Sequence, residues 1–218
     1  MAVKTKRMAV QVPGSITVTA EYADAGAARD IVFAYAPGAG SNINDPFGVY
    51  AQEELARLDY SSIRFQFPYK EAGKSAPDRP PVLEATWRAV IRAVPTGKRV
   101  VIGGRSMGGR MASHVVAQGE KVAGLALFAY PLIAPGKTEA RDGHLSAIKA
   151  PTLFCSGTKD TYATPEQLRA AAAQVPDSTV RLLDGADHGF KVLKSTGRTQ
   201  TDVYREAAAA LVEFMGKL

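Results

Sequence analysis

Gly104-Arg105-Ser106-Met107-Gly108 places a serine between two glycines, with a short apolar run before it and helix-spaced apolar residues after it. A Gly-x-Ser-x-Gly segment joining a strand to a helix makes a sharp turn that lifts the serine oxygen clear of the sheet. Small residues are needed on either side because neighbouring backbone passes very close. A serine hydroxyl is a weak nucleophile near neutral pH and needs a base within hydrogen-bond reach, most often histidine, itself held by a carboxylate.

Three histidines compete for the role of base. His114 lies on the helix that follows Ser106, displaced by about 12 Å along its axis at about 1.5 Å per residue, and reads as structural. His144 falls in a loop with no strand end to fix it, and reads as a substrate contact. His188 follows the last apolar run in Asp184-Gly185-Ala186-Asp187-His188-Gly189, where glycines permit a tight loop, and is the best base. Asp160, just after the run Thr152 to Cys155, completes the order serine, acid, histidine. Asp187 is adjacent to His188, which makes a side-chain bond at the needed angle unfavourable, and Asp184 is a weaker alternative.

The reacting carbonyl oxygen needs donors where its charge develops. The NH of Met107, at the start of the helix behind Ser106, is one, and the NH of Ala39 in Pro37-Gly38-Ala39-Gly40 is expected to be the other. That glycine loop lacks the Gly-Lys-Ser/Thr of a phosphate loop and the spacing of a dinucleotide fingerprint. Cys155 is alone, within an apolar run and without metal-ligand spacing to any His. No metal and no cofactor are expected.

The elements that must position these groups alternate along the chain. Strand character appears at 16–22, 31–35, 63–67, 100–103, 122–129, 152–155 and 179–183, and helix character at 47–58, 82–94, 111–116, 165–175 and 202–215. Apolar strands alternating with helices imply an α/β fold, a mostly parallel sheet covered on both faces. Ligands then bind beyond the carboxyl ends of the strands, which is where the selected residues fall. Phe67, Tyr69 and Tyr130 also follow strand ends and are candidate substrate contacts. Trp87 lies on the apolar face of its helix and reads as core.

A length of 218 residues, 46% hydrophobic and 22% charged, fits one compact domain spanning 1–218, with residues 1–10 read as a short basic tail. The net charge of +6 raises the question of an anionic partner. Apart from Lys4, Lys6 and Arg7 the basic residues are scattered, which argues against nucleic acid. The most apolar stretch, 122–135, is too short and too broken to span a bilayer, and the N-terminus has no apolar signal core. These features predict a cytoplasmic protein, monomer or homodimer, acting on a small molecule without nucleic-acid or membrane partners.

Several segments together carry a family resemblance: Arg64-Phe65-Gln66-Phe67-Pro68-Tyr69, Ala76-Pro77-Asp78-Arg79-Pro80-Pro81, Gly103 to Arg110, Tyr130-Pro131, Pro135-Gly136-Lys137, Gly157-Thr158-Lys159-Asp160 and Asp187-His188. Over most of its length the chain resembles alpha/beta-family hydrolases related to dienelactone hydrolase and to the testis-expressed and chromatin-complex hydrolase-like proteins. The resemblance implies an α/β-hydrolase fold without a large cap domain and a triad of Ser106, Asp160 and His188. The chain departs from the pattern at Pro37, where relatives carry His before Gly, and at Ile133, where a polar residue is expected.

The resulting expectation is a serine hydrolase, carboxylesterase- or thioesterase-like, that cleaves an ester or thioester of a small acyl group through an acyl-enzyme. Two rivals use the same residues differently. One is a catalytically silent scaffold that binds a protein partner, and the other is an acyltransferase that passes the acyl group to an alcohol or amine.

Overall fold

The computed structural model describes residues 4–26, 28–134 and 136–218. Eight strands form one sheet: β1 (Thr5–Val12), β2 (Ile16–Ala23), β3 (Ile31–Ala36), β4 (Ser61–Phe65), β5 (Arg99–Arg105), β6 (Gly124–Phe128), β7 (Thr152–Gly157) and β8 (Ser178–Leu183). Their spatial order is β1-β2-β4-β3-β5-β6-β7-β8. β3 to β8 run parallel to one another, and β1 and β2 form an antiparallel hairpin joined to the edge of β4. The helices are α1 (Pro46–Arg57), α2 (Pro68–Glu71), α3 (Pro80–Ala93), α4 (Met107–Ala117), α5 (Pro165–Ala172) and α6 (Gln200–Met215).

Strand alternation divides the core in two. Val32, Ala34 and Ala36 of β3 face a layer completed by Leu83, Trp87 and Val90 of α3, Met111 and Val115 of α4, and Leu168 of α5. Ile31, Phe33 and Tyr35 face the opposite layer, with Phe47 and Leu55 of α1 and Val203, Leu211 and Phe214 of α6. Both faces of the central strands are buried, which is why those strands read as continuous apolar runs. Trp87 is fully buried, as its helical position predicts, and its indole NH donates to the carbonyl of Gly108 at 3.1 Å.

The N-terminal segment departs from the sequence reading. Residues assigned to a basic tail form strand β1, because Val10 and Val12 alternate into the core while Lys6 and Arg7 stay outside. Arg7 pairs with Glu21 of β2 at 3.5 Å, and charged side chains on such an edge discourage pairing with another chain. Residues 1–3 of the expected tail lie outside the described residues. The connection from α2, which ends at Glu71, to α3, which starts at Pro80, is short.

Among the described residues, the connection from β6 to β7 contains no helix beyond a short 3-10 turn, Leu145–Ala147, and no cap domain. No helix among the described residues is long and apolar enough to cross a membrane.

The strands at the centre of the sheet approach closely at β5. A Cβ added to Gly104 would stand 2.1 Å from the carbonyl oxygen of Ala36, and one added to Gly108 would stand 2.4 Å from the same atom. Backbone atoms on both sides leave no room to yield. Gly104→Ala is expected to destabilise the protein by about 2 kcal/mol or more in urea titrations. Gly143→Ala, at a site where no atom lies within 4 Å of the added carbon, should change stability by less than about 0.5 kcal/mol.

Candidate active site

The turn between β5 and α4 holds Ser106 at φ 53° and ψ −119°, outside the regions that L-residues ordinarily occupy. This conformation points the side chain away from the sheet. Ser106 NH donates to the carbonyl of Phe128 at 2.9 Å, and its own carbonyl accepts from Arg110 NH at 2.9 Å, so the turn is pinned on both sides.

Asp160 sits in the loop after β7 with its side chain fully shielded from solvent. One carboxylate oxygen accepts from Tyr162 NH at 2.8 Å, and the other accepts from Ser156 Oγ at 3.0 Å. Each also lies within 3.0 Å of His188 Nδ1. An ionised carboxylate can only accept, so Nδ1 carries the proton and Nε2 presents its lone pair. His188 Nε2 lies 2.9 Å from Ser106 Oγ. The geometry thus brings together all three residues selected from the sequence.

The loop after β8 is fixed independently. Asp187 folds back to accept from the NH groups of Gly189 and Lys191, both at 2.8 Å, so its carboxylate braces the loop and stays off the imidazole. Asp184 accepts from Thr158 Oγ1 at 3.4 Å through its carboxylate and from Arg198 Nη1 at 2.6 Å through its carbonyl, and makes no hydrogen bond to His188 among the described residues. Phe190, two residues past the histidine, inserts between α1 and α6 with its ring 5.3 Å from that of Phe47. Tyr162 covers one side of the imidazole at 4.4 Å between ring centroids.

Met107 NH and Ala39 NH make no hydrogen bond among the described residues. Met107 is the first residue of α4, where NH groups have no partner within the helix. Gly38 brings the second loop alongside: a Cβ there would be 3.5 Å from Ser106 Cβ. Both donors therefore border the serine oxygen's side of the cleft.

The four expected substrate contacts are placed elsewhere, because a position after a strand end does not say which way the side chain turns. Phe67 is fully buried and packs edge-on against Phe65. Tyr69 is also buried, and its hydroxyl donates to the carbonyl of Ala39 at 2.8 Å, holding the glycine loop from behind. Burial and the charge of Asp78 push the Tyr69 hydroxyl up to about 12, so it remains a donor. Tyr130 and His144 meet Ser113 beneath the cleft, with His144 Nε2 2.8 Å from Ser113 Oγ and 3.2 Å from Tyr130 Oη. Ile133, the apolar departure from the pattern, bridges to Ala140 and donates its NH to the Tyr162 carbonyl.

Other motif residues have structural explanations. Arg64 is buried and ties β4 to its surroundings, pairing with Glu21 at 2.7 Å and donating to Gln52 at 2.8 Å and to the carbonyl of Ile43. Asp78 accepts from Tyr69 NH at 2.8 Å, and Pro80 opens α3. Pro135 lies outside the described residues.

A cleft of about 480 Å³ opens over Ser106 and His188. Besides the glycine loop its walls include Pro77, Met107, Met111, Pro131 and Tyr162, with Arg105, Arg110 and Arg141 among them. Sequence reasoning assigned none of the three arginines a role, although Arg105 sits within the serine motif and Arg110 two residues beyond it. Their spacing from Ser106 was the available signal. Among the described residues no group of three or more His, Cys, Asp or Glu side chains could hold a metal ion.

Residues 29–216 match the alpha/beta hydrolase domain family. The chain belongs to that family. Solved structures of similar fold include an alpha-beta serine hydrolase homologue from Coxiella burnetii, with a TM-score of 0.76, 20% identity, and coverage of 97% of this chain and 100% of that one. A serine hydrolase without a lid from Xanthomonas campestris aligns with a TM-score of 0.74 and 16% identity over 98% of this chain and 96% of that one. An esterase from Pyrococcus furiosus aligns at 0.75 and 13% identity over 99% and 91%. At these identities the likeness establishes the fold, and this α/β hydrolase shares it from end to end.

The half-buried pair His114 and His144, with ring centroids 4.2 Å apart, has a consequence for stability. Burial, the neighbouring His114 and the charge of Arg110 push His144 down to about 4, against the opposing pull of Asp142. Burial and Arg110 also lower His114, with Glu84 acting the other way. Each imidazole folds neutral and takes up a proton more readily when unfolded, near its ordinary value of about 6.5. Stability from this source is complete above pH 6.5 and is lost as pH falls from about 6.5 toward 4. Thermal melts across that window should show a shallower decline in His144→Gln than in the native chain, and parallel declines would refute the assignment of a neutral His144.

Proposed function

We propose that the protein is a serine hydrolase that cleaves an ester or thioester of a small acyl group through an acyl-enzyme. The observation that carries this reading is the continuous contact from Asp160 through His188 to Ser106, with both imidazole nitrogens at 2.9 Å from their nearest partners. In the first step His188 Nε2 accepts the Ser106 proton as Oγ attacks the carbonyl. Asp160 keeps the proton on Nδ1 and stabilises the imidazolium that forms.

The tetrahedral oxyanion is held by the NH groups of Met107 and Ala39, which have no other partner among the described residues. His188 then returns its proton to the leaving group, an alcohol or thiol, leaving the acyl group on Ser106. A water enters, gives a proton to Nε2 and attacks the acyl carbonyl, releasing the acid and regenerating the serine. With no cap domain among the described residues to exclude water from the cleft, water is the favoured acceptor over an alcohol or amine. Motif resemblance to dienelactone hydrolase and its testis-expressed relatives supports the same chemistry, as do relatives of similar fold described as serine hydrolases and an esterase.

A fluorophosphonate probe is expected to label the native chain and fail to label Ser106→Ala. Aryl-ester hydrolysis should fall about a million-fold in that variant and about ten-thousandfold in Asp160→Asn, with folding unchanged by circular dichroism. Absence of Ser106-dependent labelling would favour a silent binding scaffold.

A further inference from the structure

The three arginines of the cleft are not equivalent. Arg105 faces Asp45 at 3.2 Å, so its charge is matched by a buried carboxylate. Arg110 and Arg141 have no acidic partner within salt-bridge distance among the described residues. Their Nε–H groups are both shielded from solvent and without an acceptor in the protein. Arg141 donates from Nη2 to the Pro131 carbonyl at 2.9 Å, which anchors one end of its guanidinium. The Arg110 guanidinium makes no hydrogen bond among the described residues.

An exposed arginine normally leaves its head in water while its stem packs on apolar surface, and such a residue needs no ligand. Arg110 and Arg141 differ because the donor nearest the stem is desolvated and unmet in both. A buried donor without a partner is costly, and two of them on like charges add mutual repulsion to that cost. Burial pushes Arg110 below its ordinary range and Arg141 repels it, against the weaker opposing pull of Tyr130 and Glu84. The side chains lining the cleft include no aspartate or glutamate among the described residues. The two histidines beneath, held neutral, add no positive charge of their own near neutral pH.

We propose that Arg110 and Arg141 form an oxyanion-binding subsite, so that the substrate is an ester or thioester carrying a carboxylate or phosphate within a few bonds of the scissile carbonyl. The inference rests on the serine hydrolase reading and specifies its substrate class. Arg110 lies four residues beyond Ser106, a displacement of about 6 Å along α4 at about 1.5 Å per residue, which sets the short separation. The Nη–H groups at the head of a guanidinium match two oxygens of a carboxylate or phosphate in parallel. Met107, Met111 and Pro131 supply apolar wall for the carbon skeleton between the reacting carbonyl and the anion.

Two matched substrate sets test this on the whole protein. In the first, the anion is on the leaving group: 4-acetoxybenzoate and 4-acetoxyphenyl phosphate against methyl 4-acetoxybenzoate. In the second it is on the acyl group: a monoaryl adipate against its methyl ester. The native chain is expected to favour an anionic member over its neutral counterpart by about tenfold or more in kcat/KM in at least one set. That preference should weaken with added sodium chloride. Comparison of the benzoate with the phosphate identifies the preferred anion.

In Arg110→Gln and in Arg141→Gln the ratio of anionic to neutral turnover should fall toward one, and Arg110→Lys should keep an intermediate ratio. Ratios are read within each variant, so a general loss of activity does not mimic the result. If either variant fails to fold, the native chain's charge preference and its salt dependence still decide the question. No preference in either set, or one that survives both glutamine substitutions, overturns the subsite. Fluorophosphonate labelling of Ser106 in the same preparations separates the two claims. Labelling without charge preference rejects the subsite alone, whereas no labelling rejects the serine hydrolase reading and the subsite with it.

Discussion

Everything at this site depends on how closely β5 and its following turn can approach the loop after β3. The carbonyl oxygen of Ala36 lies where side chains at both Gly104 and Gly108 would otherwise extend. That contact brings the end of β3, the start of α4 and the glycine loop at 37–40 to one place. It also forces Ser106 into its positive-φ conformation, with the hydrogen bonds to Phe128 and Arg110 holding the turn against relaxation. A strained residue persists only where its surroundings over-determine it, and here packed backbone on both sides does so.

From that fixed point the remaining groups need only reach. Asp160 and His188 come from loops after β7 and β8, adjacent strands whose loops also press together, since a Cβ at Gly157 would stand 1.9 Å from the carbonyl of Ala186. The acid is buried with its acceptor sites filled by Tyr162 NH, Ser156 Oγ and His188, so the imidazole has one stable orientation. Phe190, locked between the two helices of one layer, ties the histidine loop to the core. Rigidity of the site therefore derives from packing that lies mostly outside it.

The sheet, its covering helices and the three side chains that meet at its edge were legible in the chain itself. Central strands buried on both faces leave unbroken apolar runs, and the glycines around Ser106 mark where backbone meets backbone. β1 was not recognised because three basic residues masked the alternation of Met8, Val10 and Val12, an edge-strand pattern with only one face buried. Phe67, Tyr69, Tyr130 and His144 were placed near the right edge of the sheet, yet all four turn inward. For Tyr69 the consequence is a different role, that of bracing the Ala39 loop from behind.

What sequence alone determined were properties set by neighbours along the chain: strand and helix periodicity, the turn at Ser106, and the order of serine, acid and histidine. What tertiary structure decided were properties set by neighbours across it. Whether an arginine meets a carboxylate depends on which distant segments pack beside it, so Arg105 finds Asp45 while Arg110 and Arg141 line the cleft without such a partner. Backbone preferences are local and survive in a one-dimensional reading, whereas desolvation and charge pairing exist only once the folded chain has excluded water and fixed its distances.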